Sequence, residues 1–385
     1  TRFIRGRDRV RVVNAMQLAV IACVLVVAAA PISPVGQLML IGATLTARTI
    51  LTGIITARSD IWRANYPRSD RARVTGKITI VAAISVGTMA VTIGAVLDAA
   101  AATGDPGRLS MAFRALFVSG AIVALLGVWS FSKVRWRGRA VAVREEQVVE
   151  GGPSRGGAVD MFRVLKNDPT YRRFMTAQFV LGLPNLAAIP IFIIALEDTF
   201  SPGYLESLLL AQIFSLILPI LTIPLWARFL DRTHIVRFRV FHAWFFVVAN
   251  LLMGVGFLTL NMPLLYLSRI ILGIANGGGM LAWNLGHHDF ARRDLATIYM
   301  GIHVTLTGVR GAIAPFIGAL LFSGALAIPA FHLGDWRIPG ASIHVPRFGA
   351  WTFVILAAWS AIGALLFLKL HLDMRKHTGG RPKDA

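Results

Sequence analysis

Ten long apolar stretches run through this chain, near residues 13–30, 37–57, 78–97, 115–132, 174–196, 207–226, 240–260, 264–286, 298–323 and 350–368. Each is about long enough to cross a bilayer core of ~30 Å at 1.5 Å per residue. No water reaches the hydrocarbon, so each segment has to satisfy its own backbone hydrogen bonds, which a helix does. The chain has 385 residues and is 56% hydrophobic, more apolar surface than a soluble core of that size hides. The fold class expected is an all-α polytopic membrane protein with ten transmembrane helices.

The formal net charge of +20 would suit a nucleic-acid binder. Its distribution argues against one. With residue 1 inside, the inside connections 1–12, 58–77, 133–173, 227–239, 287–296 and 369–385 carry 32 of the 39 Lys and Arg. The outside connections 31–36, 98–114, 197–206, 261–263 and 324–349 carry four, and the last three lie within helices. This is the positive-inside pattern. It predicts an integral membrane protein of a bacterial cytoplasmic (inner) membrane, both termini cytoplasmic. The partners expected are the lipid bilayer, whose anionic head groups the basic ends meet, and a small-molecule substrate, with no nucleic acid. The single cysteine, Cys23, allows neither an internal disulfide nor a thiolate metal site. The opening at Thr1, on a basic loop-like segment without a cleavable signal, suggests that further sequence precedes it.

The longest inside connection contains Glu150-Gly151-Gly152-Pro153-Ser154-Arg155-Gly156-Gly157, which reads as a flexible linker. The domains expected are a four-helix N-terminal bundle (1–132), a cytoplasmic linker (133–173) and a six-helix C-terminal bundle (174–385). A short amphipathic piece, Met161 to Lys166, is expected on the membrane surface. The two bundles resemble each other: Arg48, Trp62 and Arg71 recur as Arg269, Trp283 and Arg292 at a constant shift of 221, and Asp8-Arg9 recurs as Asp231-Arg232 at a shift of 223. A parallel repeat of this kind implies two halves related by an axis along the membrane normal.

With these features the chain resembles the major facilitator superfamily, whose members have two six-helix bundles joined by a long cytoplasmic loop. The resemblance covers the whole chain and matches its helices to family helices 3 to 12, leaving the first two family helices unmatched. The family loops between helices 2 and 3 and between helices 8 and 9 carry Gly-x-x-x-Asp-Arg-x-Gly-Arg-Arg. Here Asp8-Arg9-Val10-Arg11 and Ala227-Arg228-Phe229-Leu230-Asp231-Arg232 keep the Asp-Arg core, with Ala227 in place of the leading Gly and no second Gly. The resemblance implies a gating role for Asp8, Arg9, Asp231 and Arg232. Arg269 with Gly273, and Arg48 with Gly53 one residue out, match the Arg-Gly pattern of the fourth family helix. Gly311-Ala312-Ile313-Ala314-Pro315-Phe316-Ile317-Gly318 resembles the family's Gly/Pro motif but falls on the wrong helix, so it implies no antiport.

A helix beside a wet cavity needs a polar stripe at helical spacing, whereas one facing lipid does not. Such stripes occur as Thr44, Arg48 and Thr52; Ser85, Thr88 and Thr92; Tyr171, Gln178 and Asn185; Gln212, Ser215, Pro219, Thr222 and Trp226; Arg269, Gly273, Asn276, Met280 and Trp283; and Tyr299, His303, Thr307 and Arg310. Membrane Ser and Thr more often bond to their own or a neighbouring helix. The arginines are harder to dismiss, because a charge at the bilayer centre costs about 2.5–3.5 kcal/mol on insertion scales. Arg48 and Arg310 lie near the middle of their segments, and Arg269 nearer the outer end. Each either lines a cavity or ties helices together. None of the ten segments has Asp or Glu in its interior, so the visible cavity is cationic and favours an anionic or zwitterionic substrate. His303 either carries a proton or bonds structurally to a neighbouring helix.

The candidate substrate-binding residues are therefore Arg48, Gln178, Asn185, Arg269, Asn276, His303 and Arg310. His332, Asp335 and His344, or His287, His288 and Asp289, have no convincing metal-ligand spacing, and no cofactor is expected. No phosphate-binding Gly-rich loop and no nucleophile constellation is present, so neither ATP drive nor an enzyme is indicated. The function expected is secondary active transport of a small solute by alternating access, two bundles rocking about a midplane site. The alternative is a transporter-like membrane protein without transport activity, acting as an assembly or interaction module.

Overall fold

The structure, a computed structural model, describes residues 8–66, 68–137, 158–287, 289–291, 296–328, 331–333, 336–338 and 341–377. The Gly-rich stretch 150–157, His288, Arg292 and Asp335 lie outside them. The chain divides into two compact units, Thr1–Pro153 and Ser154–Ala385. The first holds α1 (Arg9–Ala29), α2 (Pro34–Asn65), α3 (Arg68–Ala101) and α4 (Pro106–Ser132). The second holds α5 (Ala158–Asn167), α6 (Pro169–Phe200), α7 (Tyr204–Asp231), α8 (Ile235–Leu258), α9 (Met262–Leu285), α10 (Ala296–Ser323) and α11 (Trp351–His377). Every apolar stretch read from the sequence lies on a helix long and apolar enough to cross a membrane, ten in all among the described residues.

The helix starts follow from local chemistry. Asp105, Asp168 and Asn261 accept from the Gly107, Tyr171 and Leu264 N–H groups at 2.8, 2.8 and 3.1 Å, and each is followed within two residues by a proline whose missing N–H costs nothing there. Several helices outrun their apolar stretches. α2 continues to Asn65, whose side chain donates to the Arg135 carbonyl (2.8 Å) and accepts from the Arg137 N–H (3.0 Å). Helical hydrogen bonding carries on into water once started, so hydropathy marks the lipid-facing part and not the helix end.

Two features were not foreseen. α7 contains a π-helical turn at Leu209–Ile213. The connection after α10, expected as an outside loop, forms an antiparallel ribbon of β1 (Ala325–Ile328) with β4 (Ala341–His344) and β2 (Phe331–Leu333) with β3 (Trp336–Ile338). Short as the strands are, the ribbon satisfies backbone groups that a bare loop would leave to solvent.

In the second unit the dominant contacts run α7–α9–α8–α11–α6–α10. Exchanging the triplet α6, α7, α8 with α9, α10, α11 turns this order into its own reverse. Because each triplet starts from the opposite end of the unit, the pair has the character of an inverted three-helix repeat. In the first unit the order α2–α1–α4 matches α9–α8–α11, and α3 packs on α4.

The second unit's interior is layered. One apolar cluster is built on Tyr171, Phe174, Phe238 and Phe367, the other on Ile191, Phe192, Phe257 and Phe353. Between the stretches of α8, α10 and α11 that supply them lie Asn250, Arg310 and Ser360, with Gln178 and Asn185 on either side of the boundary along α6. All but the half-buried Asn185 are buried. A polar layer thus sits at mid-height. Two glycines let neighbours close on α6 there: a Cβ at Gly363 would lie 2.7 Å from the Leu181 backbone, and one at Gly318 would collide with the Ala187 carbonyl oxygen.

Candidate polar site of the C-terminal unit

The stripes of α6 and α10 meet each other. The Tyr171 hydroxyl donates to the Tyr299 carbonyl (2.7 Å), and the Tyr299 hydroxyl donates to Asp168 (2.8 Å). Two turns further on, Arg310 Nη1 donates to the Gln178 carbonyl (2.6 Å) and Nη2 to the Thr307 hydroxyl (3.0 Å). The guanidinium lies against Gly182, where any side chain would collide with it, and 6.0 Å from the Phe179 ring centroid. Polar groups that lipid would leave unsatisfied have found each other across the helix pair.

Arg310 is nevertheless incompletely engaged. Its Nε is buried without a protein hydrogen-bond partner, as are Gln178 Oε1 and His303 Nε2. Each such group costs about 1–3 kcal/mol if nothing else satisfies it. The His303 ring meets the edge of Trp283, centroids 5.6 Å apart. No carboxylate among the described residues pairs with Arg310.

Arg239 falls, by sequence, in the inside connection 227–239. It lies instead in the second turn of α8, 2% exposed. Its Nη1 donates to His242 Nδ1 (3.0 Å), which leaves the proton on His242 Nε2 to be donated to the Ala275 carbonyl (2.7 Å). The sequence signal was available: Arg239, His242 and Asn250 share one helical face. The helix starts at Ile235, earlier than hydropathy indicates, because a basic residue lowers the windowed average.

Arg269 has the tying role. Nε donates to the Leu210 carbonyl (2.7 Å) and Nη2 to the Ala211 carbonyl (3.0 Å), with Cζ 4.5 Å from the Phe192 ring centroid. The π turn bends these carbonyls out of the regular ladder and offers them to the guanidinium. Asn185 is also committed: its amide donates to the Leu181 carbonyl (3.1 Å) and accepts from Asn250 (3.1 Å), which also donates to Ser360 (3.2 Å). Asn276 is half-buried, and Arg48 is exposed on α2. The structure thus brings Gln178 and Arg310 together, with Asn185 in the same layer and His303 two turns away along α10 against Trp283, and holds Arg269 against α7.

The Asp-Arg pairs occupy unlike places. Asp8 caps α1 through the Val10 N–H (3.0 Å), and Arg9 is buried with its Cζ 5.6 Å from the Trp136 ring centroid. Asp231 and Arg232 are exposed at the end of α7, Asp231 lining a cavity of about 330 Å³ together with Thr233, His234 and Asp289. There α8 is capped twice: His234 Nδ1 accepts from the Val236 N–H (3.2 Å) and Asp289 from the Ile235 N–H (2.7 Å).

Burial holds the His234 ring below its ordinary value of 6.5, against the opposing pull of Asp289. As pH falls below 6.5 the unfolded segment takes up a proton that the folded one resists, so the cap weakens toward acid and is at full strength above 6.5. The protection of the amides at the start of α8, once exchange is corrected for its intrinsic pH dependence, should therefore fall between pH 7 and pH 5, and His234→Asn should abolish that fall. An equal loss of protection in the variant would show that the ring is not responsible.

A model of the Major Facilitator Superfamily matches residues 5–315. No curated protein matches. Among solved structures, the crystal structure of a point mutant of the nucleoside transporter NupG is similar, with a TM-score of 0.61 and 16% identity over 94% of this chain and 84% of that one. At that identity the likeness concerns the fold.

Proposed function

Since this chain belongs to the Major Facilitator Superfamily, and is a membrane transporter by that membership, we propose that it carries a small anionic solute by alternating access. The observation that carries this reading is the mid-height polar layer of the C-terminal unit. It contains a buried guanidinium that no carboxylate among the described residues pairs with, on the Gln178 backbone carbonyl, while Gln178 Oε1, and His303 Nε2 two turns away on α10, are buried without protein partners. A cation in such a place lowers the cost of dehydrating an anion, and its donor fork suits carboxylate or phosphate. The neighbouring Gln178 and His303 supply orientation. Arg48, at the position of α2 that corresponds to Arg269 on α9, is a further proposed anion contact within the N-terminal unit. Arg269 and Asn185 hold the walls, and Asp8, Arg9, Asp231 and Arg232 act at the basic ends of the helices, where gating would occur.

The test is uptake into proteoliposomes of matched pairs of solutes: carboxylates or phosphates against their uncharged analogues, with nucleosides included because the fold neighbour carries them. The anion of each pair should be accumulated several-fold better. Equal transport of uncharged members would remove the anionic substrate while leaving the transporter. No transport of any solute by well-folded protein would favour an assembly or interaction role.

A further inference from the structure

A groove of about 280 Å³ opens between the start of α6 and the end of α11. Its floor is apolar, Leu366 and Leu370, and its rim carries Arg172, Arg173 and Lys369. One carboxylate, Asp373, lines it as well and is drawn to Arg173 at 3.5 Å. Arg172 is held in place by donating Nη1 to the Leu165 carbonyl of α5 (3.3 Å). The rim therefore keeps an excess of positive charge, with Arg172 and Lys369 unmatched by any ion pair among the described residues.

The groove lies where water gives way to lipid. The apolar span of α6 begins at Pro169 and that of α11 ends at Lys376, so both helix ends reach the interface on the same side. Toward the middle of the span, α11 exposes Ile362 and Leu365. Beside the groove, the surface helix α5 turns Met161, Val164 and Leu165 to the core and leaves Val159 and Phe162 exposed, as a helix lying in the head-group plane does. Cations at the rim, an apolar floor and a greasy wall below match a phosphate diester that continues into acyl chains.

We infer that this groove binds the head group of an anionic phospholipid, with Arg172 and Lys369 on the phosphate and the acyl chains along α11. Basic pockets between membrane helices on the cytoplasmic side suit such head groups generally. The site is separate from the polar layer and does not depend on what is transported.

The probe is phosphatidylglycerol in nanodiscs otherwise made of phosphatidylcholine, with lipid retained on the full chain counted by native mass spectrometry. One phosphatidylglycerol should remain bound in excess phosphatidylcholine. The double variant Arg172→Gln/Lys369→Gln should weaken its retention about tenfold or more, each interfacial cation contributing on the order of fivefold. Arg228→Gln, at an exposed position outside the groove, should leave it unchanged. Indifference of the unaltered protein to the lipid's charge would overturn the site, and this comparison needs no variant to fold. Equal losses in the double variant and in Arg228→Gln would replace the site by diffuse attraction. Displacement of the lipid by soluble glycerol phosphate would show that free phosphate, not lipid, is the ligand.

Discussion

Replacing Arg310 by Gln is expected to lower transport by roughly 10- to 150-fold, the equivalent of about 1.5–3 kcal/mol for one charge-assisted contact to the solute. The side chain also joins α10 to α6, through the Gln178 carbonyl and the Thr307 hydroxyl. A fall in transport alone would therefore not separate binding from architecture. Gly182 separates them, because the guanidinium occupies the space a methyl group there would need. Gly182→Ala should destabilise the unaltered protein by expelling the guanidinium, and should be tolerated once Arg310 is Ala. The double variant Gly182→Ala/Arg310→Ala should thus regain thermal stability without regaining transport. If it recovers both, Arg310 is a helix tie and nothing more. Anion uptake should fall further than uptake of an uncharged analogue, which a purely architectural defect would not produce.

The second large effect is expected at Gly318. A Cβ there meets the Ala187 carbonyl oxygen, with the Ala187 carbonyl carbon 3.0 Å away, so the obstacle is backbone and cannot turn aside. Overpacking costs about 1–3 kcal/mol when a core can adjust. Between two helices held at backbone contact, Gly318→Val should reach the upper end of that range. A thermal-shift measurement in detergent should show a drop of several degrees, and Gly311→Val should serve as the control, because a Cβ at Gly311 meets nothing within 4 Å. Equal shifts at the two positions would mean that the α6–α10 contact is looser than the structure places it.

Much of the fold was legible because lipid imposes a length and a hydropathy that survive in composition. The basic connections and the shift of 221 between Arg48 and Arg269 were readable for the same reason, since both are facts of position along the chain. What each polar stripe faces was not legible. Tyr171, Gln178 and Asn185 have the spacing of a cavity wall, yet two of them meet α10 and the third is bonded into the interior layer. Periodicity fixes the side of a helix and leaves open whether water or another helix lies there. Arg239 was missed because hydropathy places a helix end where charge begins, whereas the helix itself runs on through a buried guanidinium. The π turn has no marker in the residues Leu209 to Ile213, which are ordinary helix formers.

That turn accommodates an extra residue within one winding, so the two ends of α7 are rotated relative to an uninterrupted helix. Deleting any one of its residues would close the wide winding to an ordinary 3.6-residue turn, keeping the Tyr204 end near its present phase while drawing the Leu210 and Ala211 carbonyls back into the regular ladder. Glu206 sits on that end and receives the Tyr266 hydroxyl of α9 at 2.7 Å, one turn from where Arg269 grips the displaced carbonyls. A single-residue deletion would thus undo the Arg269 clasp while sparing the one between Tyr266 and Glu206, and a natural relative lacking that residue should keep the second pair without the first.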